Sequence, residues 1–391
     1  MLHEFQRYQP QKPHRRLFFD AVFAVFHSNL RRERCYKMHS PFITESVKQS
    51  ENFLKLSDTE KQAMAEKAFI EYGSAVEPIL NLGALHERIL HNQEMADARH
   101  MPKTFYVIKR IGDYGLFSFV SWVFCHICYA FTKGYVPVID LQTVKNPFLE
   151  DEKVGLENAW EFYFKQPYGY SLNDAEKAWE TGNCVFSEFE GFPPQLTTSI
   201  CSVAMNPSNY FREWVLLYKH FFNLNDSVEN YISDKFNSII KPNMRTIGVH
   251  CRGTDYTGMA PSLHARQPKV EDVIEKVKSA MQEWDCEYIF IATDERKTLN
   301  AFESAFPKRV LYSDEMYYDE LETDYSKQFL TKAAFDRPDD RYLKGLDYLT
   351  SIMILSKCTS AVIGINNGSM AALYINGGRY ENVHIYDLGV Y

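Results

Sequence analysis

Several chemical signatures are missing from this chain of 391 residues, and each absence excludes something. Positive charge is not in excess. Lys and Arg number 43 against 51 Asp and Glu, a net charge of −8, which argues against a nucleic-acid partner because phosphate backbones demand a basic footprint. A strict D-x-D pair, which could hold a divalent ion against a diphosphate, does not occur. The eight cysteines are scattered, and the single C-x-x-C, Cys125 and Cys128, lies inside the apolar run 117–131 with no second pair at metal spacing. These thiols read as core, and their scatter suits reduced cysteines in a cytoplasmic protein. No metal site is expected. A long early hydrophobic run is also lacking. Residues 17–26 cover about half of the roughly 20 positions a membrane helix needs, and Asp20 interrupts them, so neither a secretory signal nor a spanning helix is expected. Lys12, His14, Arg15 and Arg16 ahead of that run suit peripheral rest on a membrane surface, although a helix docked on its own protein is the better reading.

What is present is a globular composition. Hydrophobic residues make up 45% and charged residues 24%, and the length exceeds the roughly 250–300 residues at which one core stops growing, so two domains are the default. Aromatics at 15% suit clefts for planar or sugar ligands, although most of these rings must be core. Residues 1–100 read as a helical extension, with helices over 58–72 and 74–97 and a plausible cap at Ser57 and Asp58. From Lys103 the pattern changes: a strand over 104–108, a turn Gly112-Asp113-Tyr114-Gly115, an apolar helix over 116–131 closed by Gly134, and a strand over 136–140. That is a nucleotide-binding type of unit, though its turn lacks the full dinucleotide fingerprint. Residues 158–167 interleave aromatic and polar groups, which suits an acceptor-binding wall or, slightly better, the aromatic edge of a helix.

A second alternation begins near Asn243. Strands over 247–256, 288–292, 309–312 and 360–364 alternate with helices over 270–284, 299–306, 345–357 and 370–375. The pattern predicts a right-handed, doubly wound parallel sheet. Arg252, Asp255, Asp294, Asn366, Asn367 and Ser369 all fall at strand C-termini, where open α/β sheets bind ligands. Asn366-Asn367-Gly368-Ser369 lies between a strand and a helix, so the amides of Gly368 and Ser369 should face an anion, and Arg252 adds a bidentate cation at the same edge. Together they suit a diphosphate that gains charge as it departs. The acidic run over 336–341, broken by Pro338 and two arginines, reads as a solvated loop.

The motif His250-Cys251-Arg252-Gly253-Thr254-Asp255-Tyr256, followed by Phe290 to Asp294, Ser313-Asp314, Lys344 to Leu349, Leu355 to Cys358 and the Asn366 to Ser369 turn, resembles the donor domain of GDP-fucose-dependent fucosyltransferases. The nodulation and core alpha-1,6 enzymes and bacterial surface-polysaccharide relatives are of this kind. Gly115 to Ser118 and Gly134 to Asp140 resemble their N-terminal domain, so the likeness spans roughly residue 105 to the C-terminus. It implies an α/β, GT-B-like pair of Rossmann-type domains with parallel sheets: a helical region over 1–100, an acceptor domain over 101–240 and a nucleotide-sugar domain over 241–391. It further implies inverting, metal-independent transfer of fucose from GDP-fucose to a glycan, with no cofactor, in surface-glycan assembly at the cytoplasmic side. Arg252 would bind the β-phosphate. His250, Thr254 and Asp294 would line the nucleotide and sugar site, and Asn366, Asn367 and Ser369 would cradle the diphosphate. Gly112, Tyr114 and Gly115 would approach the donor across the cleft. Two departures stand out. Ser351 occupies the position of an Asp that accepts from guanine N1 and N2, and a hydroxyl cannot reproduce bidentate acceptance; Asp347, one turn earlier, is the alternative. Asn366-Asn367 replaces a Ser-Ser. His264 and Asp255 are the candidates for a catalytic base, unless a good diphosphate leaving group makes one dispensable. The competing readings are a different nucleotide-sugar and a non-catalytic glycan- or protein-binding module. Acceptor, linkage and oligomeric state have no sequence signal.

Overall fold

The structure is a computed structural model that describes residues 40–79, 81–187, 210–252, 260, 264–321 and 330–391. Thr254 and Asp255, and the basic and apolar segments over 12–26, lie outside the described residues.

Three helices open the described chain: α1 (Pro41–Leu54), α2 (Asp58–Val76) and α3 (Leu82–Asp97). The break between α2 and α3 contains Pro78, which lacks an N–H to continue a helical ladder. The first α/β unit is β1 (Phe105–Ile108), α4 (Leu116–Lys133), β2 (Val136–Ile139), α5 (Leu172–Trp179) and β3 (Cys184–Phe186), with a parallel sheet ordered β2-β1-β3. Helix α4 ends where Gly134 takes a φ of 68°, a left-handed conformation that suits glycine. It is long and apolar enough to cross a membrane by length and composition, but 83% of that window is buried inside the protein. Cys125 and Cys128 are within that buried face. The aromatics over 158–167 are core as well: Trp160, Tyr163 and Phe164 are each buried.

Helices α6 (Phe211–Phe221) and α7 (Asp226–Ile239) lead into the second unit. It comprises β4 (Thr246–Cys251), α8 (Val270–Glu283), β5 (Tyr288–Thr293), α9 (Arg296–Ala305), β6 (Val310–Leu311), α10 (Asp340–Leu355), β7 (Ser360–Gly364), α11 (Asn367–Asn376) and β8 (Val383–Tyr386). Its five strands are all parallel, in the order β6-β5-β4-β7-β8. The chain starts in the middle, builds outward to β6, then crosses back to β7. Such a reversal leaves a crevice outside the C-terminal ends of the two strands flanking it, here β4 and β7.

The two units share a core. Trp214 on α6 stacks on Tyr374 of α11 with ring centroids 5.5 Å apart, and Tyr72 of α2 packs on Tyr129 of α4 at 4.5 Å. Tyr163 of the first unit donates to the carbonyl of Tyr342 on α10 at 2.8 Å. Gly345 permits that approach, because a Cβ there would stand 2.2 Å from the Tyr163 hydroxyl.

Candidate functional site

The crevice at the end of β4 opens into a cleft with about 910 Å³ of empty space, open solvent at its mouth included. One wall comes from the first unit: Gly115 and Leu116 at the start of α4, with Pro147 and Phe148. The other carries His250, Arg252, Thr293, Asp294, Glu315, Tyr318, Arg337, Asp347, Tyr348 and Ser351, from the ends of β4, β5 and β6 and from α10. The sequence thus brings Gly115, His250, Arg252, Asp294, Asp347 and Ser351 to one cavity.

His250 ends a fully buried strand, and its Nδ1 lies 2.8 Å from the Ser369 hydroxyl. Burial, with the Arg252 guanidinium beside it, pushes the imidazole down to about 3, so it is neutral at physiological pH. Ser369 is itself ordered by the turn before α11: the Asn366 carboxamide oxygen accepts from its N–H at 3.0 Å and caps the helix. Gly368 packs so tightly that a Cβ would meet the Tyr348 hydroxyl at 2.2 Å and His250 Cε1 at 3.1 Å. Asn366, Asn367, Gly368 and Ser369 therefore stand behind His250, one strand over, and do not themselves line the cleft.

Gly112 takes a φ of 127° and lines an adjoining, more polar groove. Tyr114 is partly exposed, its ring 3.8 Å from the Arg110 guanidinium. His264 lies outside both cavities, and its carbonyl accepts from the N–H of Tyr391 at 3.0 Å.

Two expectations need correcting. The run over 336–341 is a solvated turn only in part: Asp336, Pro338 and Asp339 are exposed, whereas Arg337 is half-buried and Asp340 opens a helix. Asp340 begins α10, is 8% exposed, and accepts from Arg337 Nε at 2.9 Å while lying 3.4 Å from Lys344. Arg337 also reaches Asp347 at 3.0 Å and lines the cleft. The pattern of charges concealed this, because i, i+3 and i, i+4 partners on a helix start look like an exposed mixed run until the helix is placed. Second, Asp347 does not stand in the cleft as an isolated acceptor, since its Oδ2 pairs with Arg337. Desolvation still raises its pKa, against the pull of that guanidinium.

Sequence reasoning missed Glu315. It follows β6, faces the cleft, and its Oε1 accepts a hydrogen bond from the Ser351 hydroxyl on α10. Enclosure by protein pushes its carboxyl up to about 8. Apart from its place after the two-residue strand β6, nothing in the local sequence distinguished it.

Among the described residues no group of three His, Cys, Asp or Glu converges in a way that would hold a metal. No family model and no curated protein matches the chain. Among solved structures it is similar in fold to the alpha-1,6-fucosyltransferase NodZ soaked with GDP-fucose (TM-score 0.43, 14% identity, 70% of this chain and 93% of that one). NodZ from Bradyrhizobium aligns at a TM-score of 0.40 and 12% identity over 67% of this chain and 88% of that one. POFUT1 in complex with GDP aligns at a TM-score of 0.41 and 10% identity over 73% and 99%. The chemistry of the cleft is read from its own residues.

Proposed function

We propose that this protein is a glycosyltransferase that takes fucose from GDP-fucose and passes it, with inversion and without a metal ion, to a hydroxyl of a glycan acceptor. The observation that carries the reading is the position of Arg252. Its guanidinium lies in a two-walled cleft at the sheet's reversal point, beside an imidazole held neutral. Breaking a glycosyl–phosphate bond adds negative charge to the departing diphosphate, and a preorganised guanidinium is the group that lowers that barrier. A neutral His250, oriented by Ser369, adds directional hydrogen bonding without competing for the cation's counter-charge. The wall from Gly115 to Phe148 shields the reacting sugar from water. The adjoining groove, which contains Lys145, Glu150, Lys332 and Arg341, suits a polyhydroxylated acceptor.

The finer parts of the proposal, a role in surface-glycan assembly and a cytoplasmic location with an option of peripheral membrane contact, rest on the sequence resemblance and on scattered thiols. The discriminating experiment is thermal shift of the full chain with GDP, UDP and ADP, followed by turnover of GDP-fucose. Stabilisation by GDP supports the reading, and turnover carries it to the sugar. A protein that binds no nucleoside diphosphate, yet holds a glycan or protein partner, would instead be a binding module.

A further inference from the structure

Glu315 lines the cleft, and the transfer chemistry above leaves it without a role. It sits at the end of the cleft away from the β4–β7 reversal, after β6, two strands over from β4, a separation of about 10 Å between strand axes. Ser351 donates to Oε1 and Ser313 also hydrogen-bonds the carboxyl, which leaves lone pairs of the two oxygens for a ligand in the cleft that Glu315 lines with Met316 and Tyr318. The other acid on that wall, Asp347, is spoken for by Arg337 at 3.0 Å, and Arg337 by Asp340 at 2.9 Å. Cation and acceptor therefore line one cavity from different strands, Arg252 after β4 and Glu315 after β6, so a ligand whose diphosphate meets Arg252 extends its nucleobase toward Glu315.

We infer, resting on the transferase reading above, that Glu315 determines the nucleobase by accepting the parallel N1–H and N2–H donors of guanine, with Ser351 as its positioning residue. A carboxylate offers acceptors only, so it pairs with an edge that presents two adjacent donors. Guanine has such an edge. Adenine and cytosine set a donor beside an acceptor, and uracil flanks its one N–H with carbonyls, so each would bring a lone pair against the carboxylate. The hydroxyl at position 351 is too short and too weak an acceptor for this task, but it is suited to fixing the longer Glu315 side chain. Burial that raises the Glu315 pKa when the cleft is empty is relieved once two N–H donors arrive.

The experiment is calorimetric titration of the full chain and of Glu315→Gln with GDP, IDP, ADP and UDP. IDP is the decisive probe, because it differs from GDP only in lacking the 2-amino donor. The parent protein is expected to bind GDP about tenfold or more tightly than IDP, the value of one hydrogen bond to a charged group, and to discriminate further against ADP and UDP. Glu315→Gln should collapse the GDP-to-IDP ratio. It should also gain on ADP, because a carboxamide presents the donor and acceptor that adenine's edge requires. Ser351→Ala should weaken GDP selectivity by less, since Glu315 itself remains. A parent that binds GDP and IDP alike, or prefers ADP or UDP, overturns the inference while leaving a transferase for another donor. A variant with the parent's ratios also overturns it. If the variant does not fold, the parent's GDP-to-IDP ratio decides. A parent that binds no nucleoside diphosphate defeats the transferase reading, and the inference falls with it.

Discussion

At the scale of single residues, two side chains, Arg252 and Glu315, carry most of the chemistry and each admits a direct test. Arg252→Ala removes the guanidinium expected to meet the leaving diphosphate. Turnover of GDP-fucose should drop by roughly 10²–10³-fold or more, with the melting temperature nearly unchanged because the side chain is only partly buried. Retained turnover would show that Arg252 is not the charge-stabilising group. Arg252→Lys should recover little, since an ammonium cannot reproduce the planar bidentate fork. Glu315 adds a pH signature. Its folded pKa, about 8, lies above the ordinary glutamate value, so between those two pH values the folded protein holds a proton that the unfolded chain has released. Stability therefore falls as pH rises through that window. Glu315→Gln has no such proton to lose. Its melting temperature relative to the parent should accordingly be more favourable at pH 8 than at pH 5, in the absence of nucleotide. An equal difference at both pH values would mean that the parent's Glu315 is not held protonated.

At the scale of elements, the turn between β7 and α11 positions the site without lining it. Asn366 caps α11 through the Ser369 N–H, and Ser369 meets His250, so cap, helix and imidazole form one chain of contacts. Asn366→Ala should cost about 1 kcal/mol of stability for the lost cap, read by chemical denaturation. It should also lower turnover through a loosened His250. Unchanged stability and turnover together would remove the turn from the positioning machinery. The helix α10 shows how an element redefines the residues on it. Read linearly, residues 336–341 are a mixed charge run. Once the helix is placed, Arg337 in the turn before it pairs with Asp340 and Asp347 on α10, Lys344 pairs with Asp340, and Arg337, Lys344 and Asp347 line the cleft.

At the scale of the molecule, the two sheets share a core that runs through α4, α6, α10 and α11. Trp214 is fully buried at that junction, stacked on Tyr374 and near Phe124 at 6.5 Å. Trp214→Ala should destabilise by about 3–5 kcal/mol. Because the cluster is continuous, the loss should shift a single cooperative unfolding transition, observed identically by near-UV and far-UV dichroism. Two separated transitions would show that the units unfold independently.

Much of this was legible in the order of residues. Alternating apolar strands and amphipathic helices announce a parallel sheet, and polar groups placed just after strands announce an edge where they gather, since connection length and handedness leave few other topologies. Hence His250, Arg252, Asp294 and the Asn366 to Ser369 turn could be placed at that edge from spacing, whereas the role of Asn366 as a helix cap could not. Short edge strands such as β3, three residues long, were not visible, because pairing with β1 rather than a repeating pattern makes them strands. The sequence by itself determined the α/β alternation and the cation at the sheet's C-terminal edge, both of which depend on local periodicity. Only the tertiary structure decided which acid faces a ligand. Glu315 and Ser351 are 36 positions apart on different elements, and Asp347 is withdrawn by Arg337, so the availability of each carboxylate depends on partners that only folding supplies.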